Sequence, residues 1–135
     1  MIDVLFILQC AYYTNGRAPT LDVWERRLLT SSHTGRRLRE YIPPDVSYRV
    51  INSTLETGTT PDACFPPDAA YIRNKVDELK PKIVVACGKI AQQALDNIPH
   101  IPAPHPAWRQ LSKQHSSEIR NKITAALEDY HERQL

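Results

Sequence analysis

Residues 81–91 read PKIVVACGKIA, and this stretch decides the fold. The run from Ile83 to Val85 is apolar and β-branched without alternating polar positions, which is typical of a strand buried on both faces in a parallel sheet. Gly88 then makes a turn, and a helical pattern begins at Lys89. In open α/β sheets, ligands bind at the edge where strands end and helices begin. The stretch predicts such an edge, although the same pattern also fits a purely structural strand–turn–helix unit.

The bulk composition is that of an ordinary globular protein. The chain has 135 residues, 41% of them hydrophobic and 24% charged, with a formal net charge of +2. We expect one domain over residues 1–135, with no membrane span because the apolar runs are short. Its three cysteines form no C-x-x-C pair, so we expect no metal, no iron–sulfur cluster and no other cofactor. An odd number of widely spaced cysteines favours a reducing cytoplasm.

Further elements alternate along the chain. A mainly apolar run predicts a strand over residues 3–8, and weaker patterns predict strands over residues 46–52 and 98–103. Periodic patterns predict helices over residues 21–29, 36–42, 68–79, 89–95 and 116–130. Strands that alternate with helices predict a parallel sheet with right-handed crossovers. We therefore expect a three-layer α/β/α sandwich with a central four-stranded parallel sheet.

Polar loops follow three of these strands, and their motifs resemble the uracil-DNA glycosylase superfamily. Residues 8–12 (LQCAY) stand in the place of the family's G-Q-D-P-Y loop, and Asn52 follows the next strand, as an asparagine does in the family. Residues 81–91 resemble its P-K-v-i-v-a-L-G-k-x-A segment, and residues 105–107 (HPA) resemble its H-P-S or H-P-A loop. Residues 34–38 (TGRRL) are similar to its S-G-x-x-L helix start. The resemblance covers nearly the whole chain, in order.

The resemblance implies a role for each loop residue around one flipped base. The Asn52 amide would pair with O4 and N3–H of uracil, and His105 would donate to O2 as the N-glycosidic bond breaks. Tyr12 would exclude the thymine methyl group, and Gln9 would line the pocket. From the residues alone, Asn52 is more typical of a turn that ends a strand, and His105 also fits a loop held between prolines that has no chemical role.

The segment after His105 is expected to meet DNA. In the family, residues at this place enter the minor groove, so Trp108 or Leu111 would act as a wedge and Arg109 or Lys113 would contact phosphates. Alternatively, Trp108 packs against the last helix. The arginines at 26, 27, 36, 37 and 39 form either a solvated face or a phosphate-binding one.

Two departures from the family pattern divide the hypotheses. Cys10 stands where active members carry a water-activating carboxylate, and Thr30 stands where an aromatic residue stacks on the base, a role that Tyr13 or Phe65 would have to take. The first hypothesis is a DNA glycosylase that acts on uracil or a modified pyrimidine through His105 and Asn52, with Cys10 as a further candidate catalytic residue. The second is a nucleobase- or DNA-binding module, and the third is a modified-base transferase with Cys10 as its nucleophile. In each case we expect a monomer that binds DNA in the cytoplasm. If a phage encodes the chain, this is the cytoplasm of its host.

Overall fold

The computed structural model describes residues 1–12, 19–58, 65–95 and 97–135. The strands are β1 (Ile2–Leu8), β2 (Ala11–Tyr12), β3 (Tyr48–Asn52), β4 (Thr57–Gly58), β5 (Pro81–Cys87) and β6 (Ile101–Ala103). The helices are α1 (Leu21–Ser31), α2 (His33–Arg39), α3 (Ala69–Leu79), α4 (Lys89–Gln93) and α5 (Lys113–Arg133).

The main sheet has four strands in the order β3-β1-β5-β6, and every neighbouring pair is parallel. One face packs against α2 and α5 through Leu38, Ile119 and Ile123, and α1 adds partly buried side chains to the same core. The opposite face packs against Ile72 of α3 and Ala91 of α4. The predicted three-layer α/β/α sandwich around a four-stranded parallel sheet is therefore confirmed, and β1 and β5 are apolar because both of their faces are covered.

Several predicted bounds move for identifiable reasons. The second helix begins at His33 rather than residue 36, because Ser32 caps it by accepting a hydrogen bond from Gly35 N at 2.9 Å. The last helix begins at Lys113 rather than residue 116, because Ser112 and His115 form a capping box. The last strand is only Ile101–Ala103, since the chain before it makes a turn in which Ile98 N donates to Leu95 O.

A second, two-stranded sheet was not predicted. β2 and β4 are parallel, with Ala11 opposite Thr57 and Tyr12 opposite Gly58. The two strands have two residues each, which is too short for a period-2 pattern to show. Their pairing holds the loop after β1 against the loop after β3.

Gly35 sets the close approach of α1 and α2. A Cβ atom at this position would overlap the Leu28 carbonyl oxygen and lie 3.1 Å from Leu29 Cα. Both obstacles are backbone, so neither helix can give way locally. We expect Gly35→Ala to lower the free energy of unfolding by at least about 2 kcal/mol in a denaturant titration. Thr34→Ala is the matched control, and equal stabilities for the two variants would contradict the close packing.

Candidate functional site

The ends of β3, β1 and β5 lie side by side at one edge of the sheet. Ser53, directly after β3, donates from its backbone N to Leu8 O at 2.8 Å, and its hydroxyl donates to Gln9 O at 2.6 Å. Leu8 pairs with Asn52 in register, and Ile7 pairs with Ala86. Gln9, Cys10 and Asn52 are therefore brought together at the edge that the sequence predicted.

Asn52 lines a cavity of about 270 Å³ between the end of β3 and α1. Its side chain is 2% exposed, and its Oδ1 has no hydrogen-bond partner among the described residues. A buried acceptor without a donor typically costs about 1–3 kcal/mol. The site therefore fits a ligand that offers an N–H group to this oxygen.

Two further residues line the same cavity and were missed by the sequence reasoning. Trp24 of α1, which carries an aromatic ring, and Glu56, which carries a carboxylate, both line it. The spacing of Trp24 with Leu28 looks like that of an ordinary core position, so no local signal distinguished it. Glu56 had a weak signal, since it is the first acidic residue after Asn52.

Helix α1 is anchored beside Asn52 by the residue that follows Trp24. The Glu25 carboxylate pairs with Arg49 Nε at 2.9 Å and also accepts a hydrogen bond from Val50 N. The second bond uses an N–H on the free side of β3, which is an edge strand of the sheet. Trp24 is consequently fixed next to the last residues of β3.

His105 lies over the turn that ends β5. A Cβ atom added to Gly88 would lie in ordinary van der Waals contact with His105, 3.4 Å from its Cβ and 3.7 Å from its Cδ2, so the two residues are close neighbours. Glycine is favoured here because φ is 92°. His105 Nδ1 accepts a hydrogen bond from Ala107 N at 3.0 Å. Burial lowers the pKa of His105, which favours the neutral ring. A neutral ring that accepts at Nδ1 carries its proton on Nε2, so His105 presents an N–H donor.

The loop that carries His105 is fixed from outside the site. The Tyr41 hydroxyl, on the segment after α2, donates to Pro104 O at 2.7 Å. Gly88 N donates to Ala103 O at 2.8 Å. Arg37 Nη2 donates to Leu111 O at 2.7 Å, which gives this arginine of the basic cluster a structural contact. The His105 backbone is thus held from both sides.

A larger cavity of about 560 Å³ lies on the α5 side of His105. His105 and Trp108 line it, together with Lys89 and Lys122. Trp108 is 41% exposed and its ring centroid lies 5.3 Å from that of His115, so it packs against α5 and also faces solvent. The residues around the cavity thus include one large aromatic side chain, two lysines and one acid, Glu118.

The other predicted site residues differ in their exposure to solvent. Arg109 and Lys113 are exposed, whereas Leu111 is partly buried against the core. The backbone of Tyr12 lies in β2, and the role of its side chain stays a prediction. Tyr13 lies outside the described residues, and Phe65 is half-buried and is not among the residues that line the Asn52 cavity.

Asn52 and His105 line two different cavities of the described structure. The end of β1, with Gln9 and Cys10, lies between them. The contact of Asn52 and His105 with a single base therefore stays a prediction, although the structure brings both residues to one edge of the sheet.

The cysteines and acids of the described chain give no metal centre. No group of three or more His, Cys, Asp or Glu side chains in the described ranges could hold a metal ion. Cys87 is fully buried in the core, and burial raises the pKa of its thiol, so it is inert as a nucleophile. Cys10 is partly exposed, and Cys64 lies outside the described residues.

Comparison with known families gives a match to the model described as "Uracil DNA glycosylase superfamily" over residues 13–128. The chain belongs to this superfamily. The residues of the chain that match the family model include Asn52, Glu56 and His105, and the match begins directly after Tyr12. Family membership makes the protein DNA glycosylase-like, with DNA as its substrate class. No curated protein matches the chain.

None of the helices in the described residues is long and apolar enough to cross a membrane.

The His105 environment gives a pH prediction. Because burial places the pKa of His105 in the folded protein below its unfolded value of about 6.5, the unfolded chain takes up the proton first. The contribution of His105 to stability is complete above pH ~6.5 and is lost as the pH falls toward the folded pKa. We expect the Tm of the wild type to fall more between pH 7.5 and 5 than that of His105→Asn, whose amide oxygen can still accept from Ala107 N. Parallel curves for the two proteins would contradict the neutral ring.

Proposed function

We propose that this protein is a DNA glycosylase that recognises a flipped uracil or modified pyrimidine and cleaves its N-glycosidic bond by stabilising the departing base. The observation that carries the proposal is the buried, unpartnered Oδ1 of Asn52 at the carboxyl edge of the sheet. This acceptor suits the N3–H of uracil, and the amide group can also donate to O4.

The spacing of the strands supports a single base between Asn52 and His105. Adjacent strands lie about 4.8 Å apart, so the ends of β3 and β5 are roughly 10 Å apart with the end of β1 between them. His105 lies over the end of β5. This span is comparable to a pyrimidine ring with one hydrogen bond at each side. Gln9 and Cys10 would then line the floor, and Tyr12 the side near C5.

The chemistry follows from the state of the His105 ring. Breaking the bond from the sugar to a pyrimidine places negative charge on O2 of the departing base. A neutral imidazole with its proton on Nε2 can donate to that oxygen, and it is held ready by the Ala107 hydrogen bond. A pre-positioned donor stabilises charge that develops in the transition state more than it stabilises the substrate.

DNA would be held next to the base through the cavity on the α5 side. Trp108 is the exposed apolar side chain of this loop and fits the space that a flipped base vacates, whereas Leu111 contributes to the core. Exposed Arg109 and Lys113 fit phosphate contacts, and Lys89 and Lys122 add charge within the cavity.

The test is an excision assay under single-turnover conditions. Oligonucleotides containing uracil, hypoxanthine or a 5-modified pyrimidine, in single- and double-stranded form, are incubated with the protein, and abasic sites are revealed by alkaline cleavage. We expect abasic product from at least one of these substrates. If none of them yields product while DNA is still bound, the binding-module hypothesis replaces this one.

A further inference from the structure

We propose that Glu56 is a catalytic residue of this site, the carboxylate that orients and deprotonates the attacking water. This inference rests on the proposed glycosylase activity and adds a residue that no part of that proposal assigns.

Hydrolysis of an N-glycosidic bond needs a group that the first loop of this chain lacks. The sugar develops positive charge as the base departs, and a carboxylate can both stabilise that charge and accept a proton from water. There is no Asp or Glu between residues 4 and 21. Within the described chain, the carboxylate must therefore come from another segment.

The pairing of β2 and β4 brings such a carboxylate to the end of β1. Ala11 is opposite Thr57 in the parallel register, so Cys10 and Glu56 are the residues that directly precede this pair. Strands pair about 4.8 Å apart, which places the Glu56 backbone alongside Cys10. Glu56 therefore lies next to the first loop, although it belongs to the segment between β3 and β4.

Glu56 lines the same cavity as Asn52 and Trp24. Its backbone N donates to Thr54 Oγ1 at 3.2 Å, which fixes the turn between Asn52 and β4. Glu56 is exposed, and no ion pair joins its carboxylate to a described lysine or arginine. The carboxylate is consequently held by no described cation and is open to a water molecule.

The water oxygen attacks C1′ of the sugar while the bond from C1′ to the base nitrogen breaks, and its electron pair moves onto the base. Glu56 accepts the proton released by the water, and His105 Nε2–H donates a hydrogen bond to O2 of the departing anion. Solvent later protonates the free base. Trp24 would face the ring of the bound base during this step.

The experiment compares variants on the substrate that the wild type excises. We expect Glu56→Gln to lower the single-turnover rate roughly 100-fold or more. It should leave unchanged the Tm and the affinity for an oligonucleotide carrying 2′-fluoro-2′-deoxyuridine. Glu78→Gln, an exposed acid on α3, is the matched control and should retain the wild-type rate.

A second variant tests the chemical role directly. Glu56→Ala should be slow, and added formate should raise its rate several-fold without affecting Glu78→Gln. Excision by Glu56→Gln at the wild-type rate, or a slow Glu56→Ala that formate does not accelerate, would overturn this inference and leave the glycosylase activity standing. A wild type that excises no base would overturn the proposed function and the role of Glu56 together.

Discussion

His105→Ala is expected to lower the single-turnover excision rate by about 10²–10³-fold, the typical effect of removing one donor to a developing oxyanion. The ring can donate from Nε2 because Nδ1 accepts a hydrogen bond from Ala107 N, which leaves the proton of the neutral ring on Nε2. The charge on the departing base exists mainly in the transition state, so the rate should fall far more than the affinity for DNA. Quench-flow or gel kinetics, together with an equilibrium binding titration, would separate the two quantities.

His105→Gln gives a sharper version of the same experiment. A glutamine amide can still donate, although from a different position, and should retain more of the rate than alanine does. His100→Ala is the matched control, because His100 is partly buried near the start of β6, where its Nδ1 lies 2.8 Å from Ile98 O. An unchanged rate in His105→Ala would show that the departing base is stabilised by another group.

Asn52→Leu is expected to abolish base recognition without destabilising the fold. Replacing a site that hydrogen-bonds its ligand by an apolar surface lowers kcat/KM strongly, here on the order of 10³-fold. The same change removes the buried Oδ1 that has no described partner and keeps a similar side-chain volume. The Tm should therefore stay level or rise, since the lost acceptor cost about 1–3 kcal/mol when unpaired.

This opposite movement of activity and stability distinguishes a binding asparagine from a structural one. An asparagine that only ends a strand would be needed for the turn, and its loss would lower the Tm. Asn74→Leu, at an exposed position on α3, is the control for the substitution itself. Excision by Asn52→Leu at the wild-type rate would remove Asn52 from the pocket.

The two outcomes also separate the remaining hypotheses. A glycosylase loses activity in both variants, whereas a pure binding module loses base binding only in Asn52→Leu. A transferase that used Cys10 as its nucleophile would fail in Cys10→Ser, a change that should barely affect hydrolysis.

The sequence by itself determined the layers of this fold and the edge that carries the site. Residues 4–8 and 83–87 are apolar without alternation, and only a strand covered on both faces tolerates that pattern. Because all strands of such a sheet run in parallel, residues that follow them, such as Asn52 and His105, must collect at one edge. The order of motifs along the chain was enough to indicate the superfamily.

Only the tertiary structure decided which side chains share a cavity. Trp24 and Glu56 join Asn52 because α1 is anchored to β3 through Glu25 and because β2 pairs with β4. The proton position on His105 depends on one backbone N–H, that of Ala107. These contacts depend on the folded geometry and leave no periodic pattern in the sequence. Periodicity is the main signal of structure that a single sequence carries.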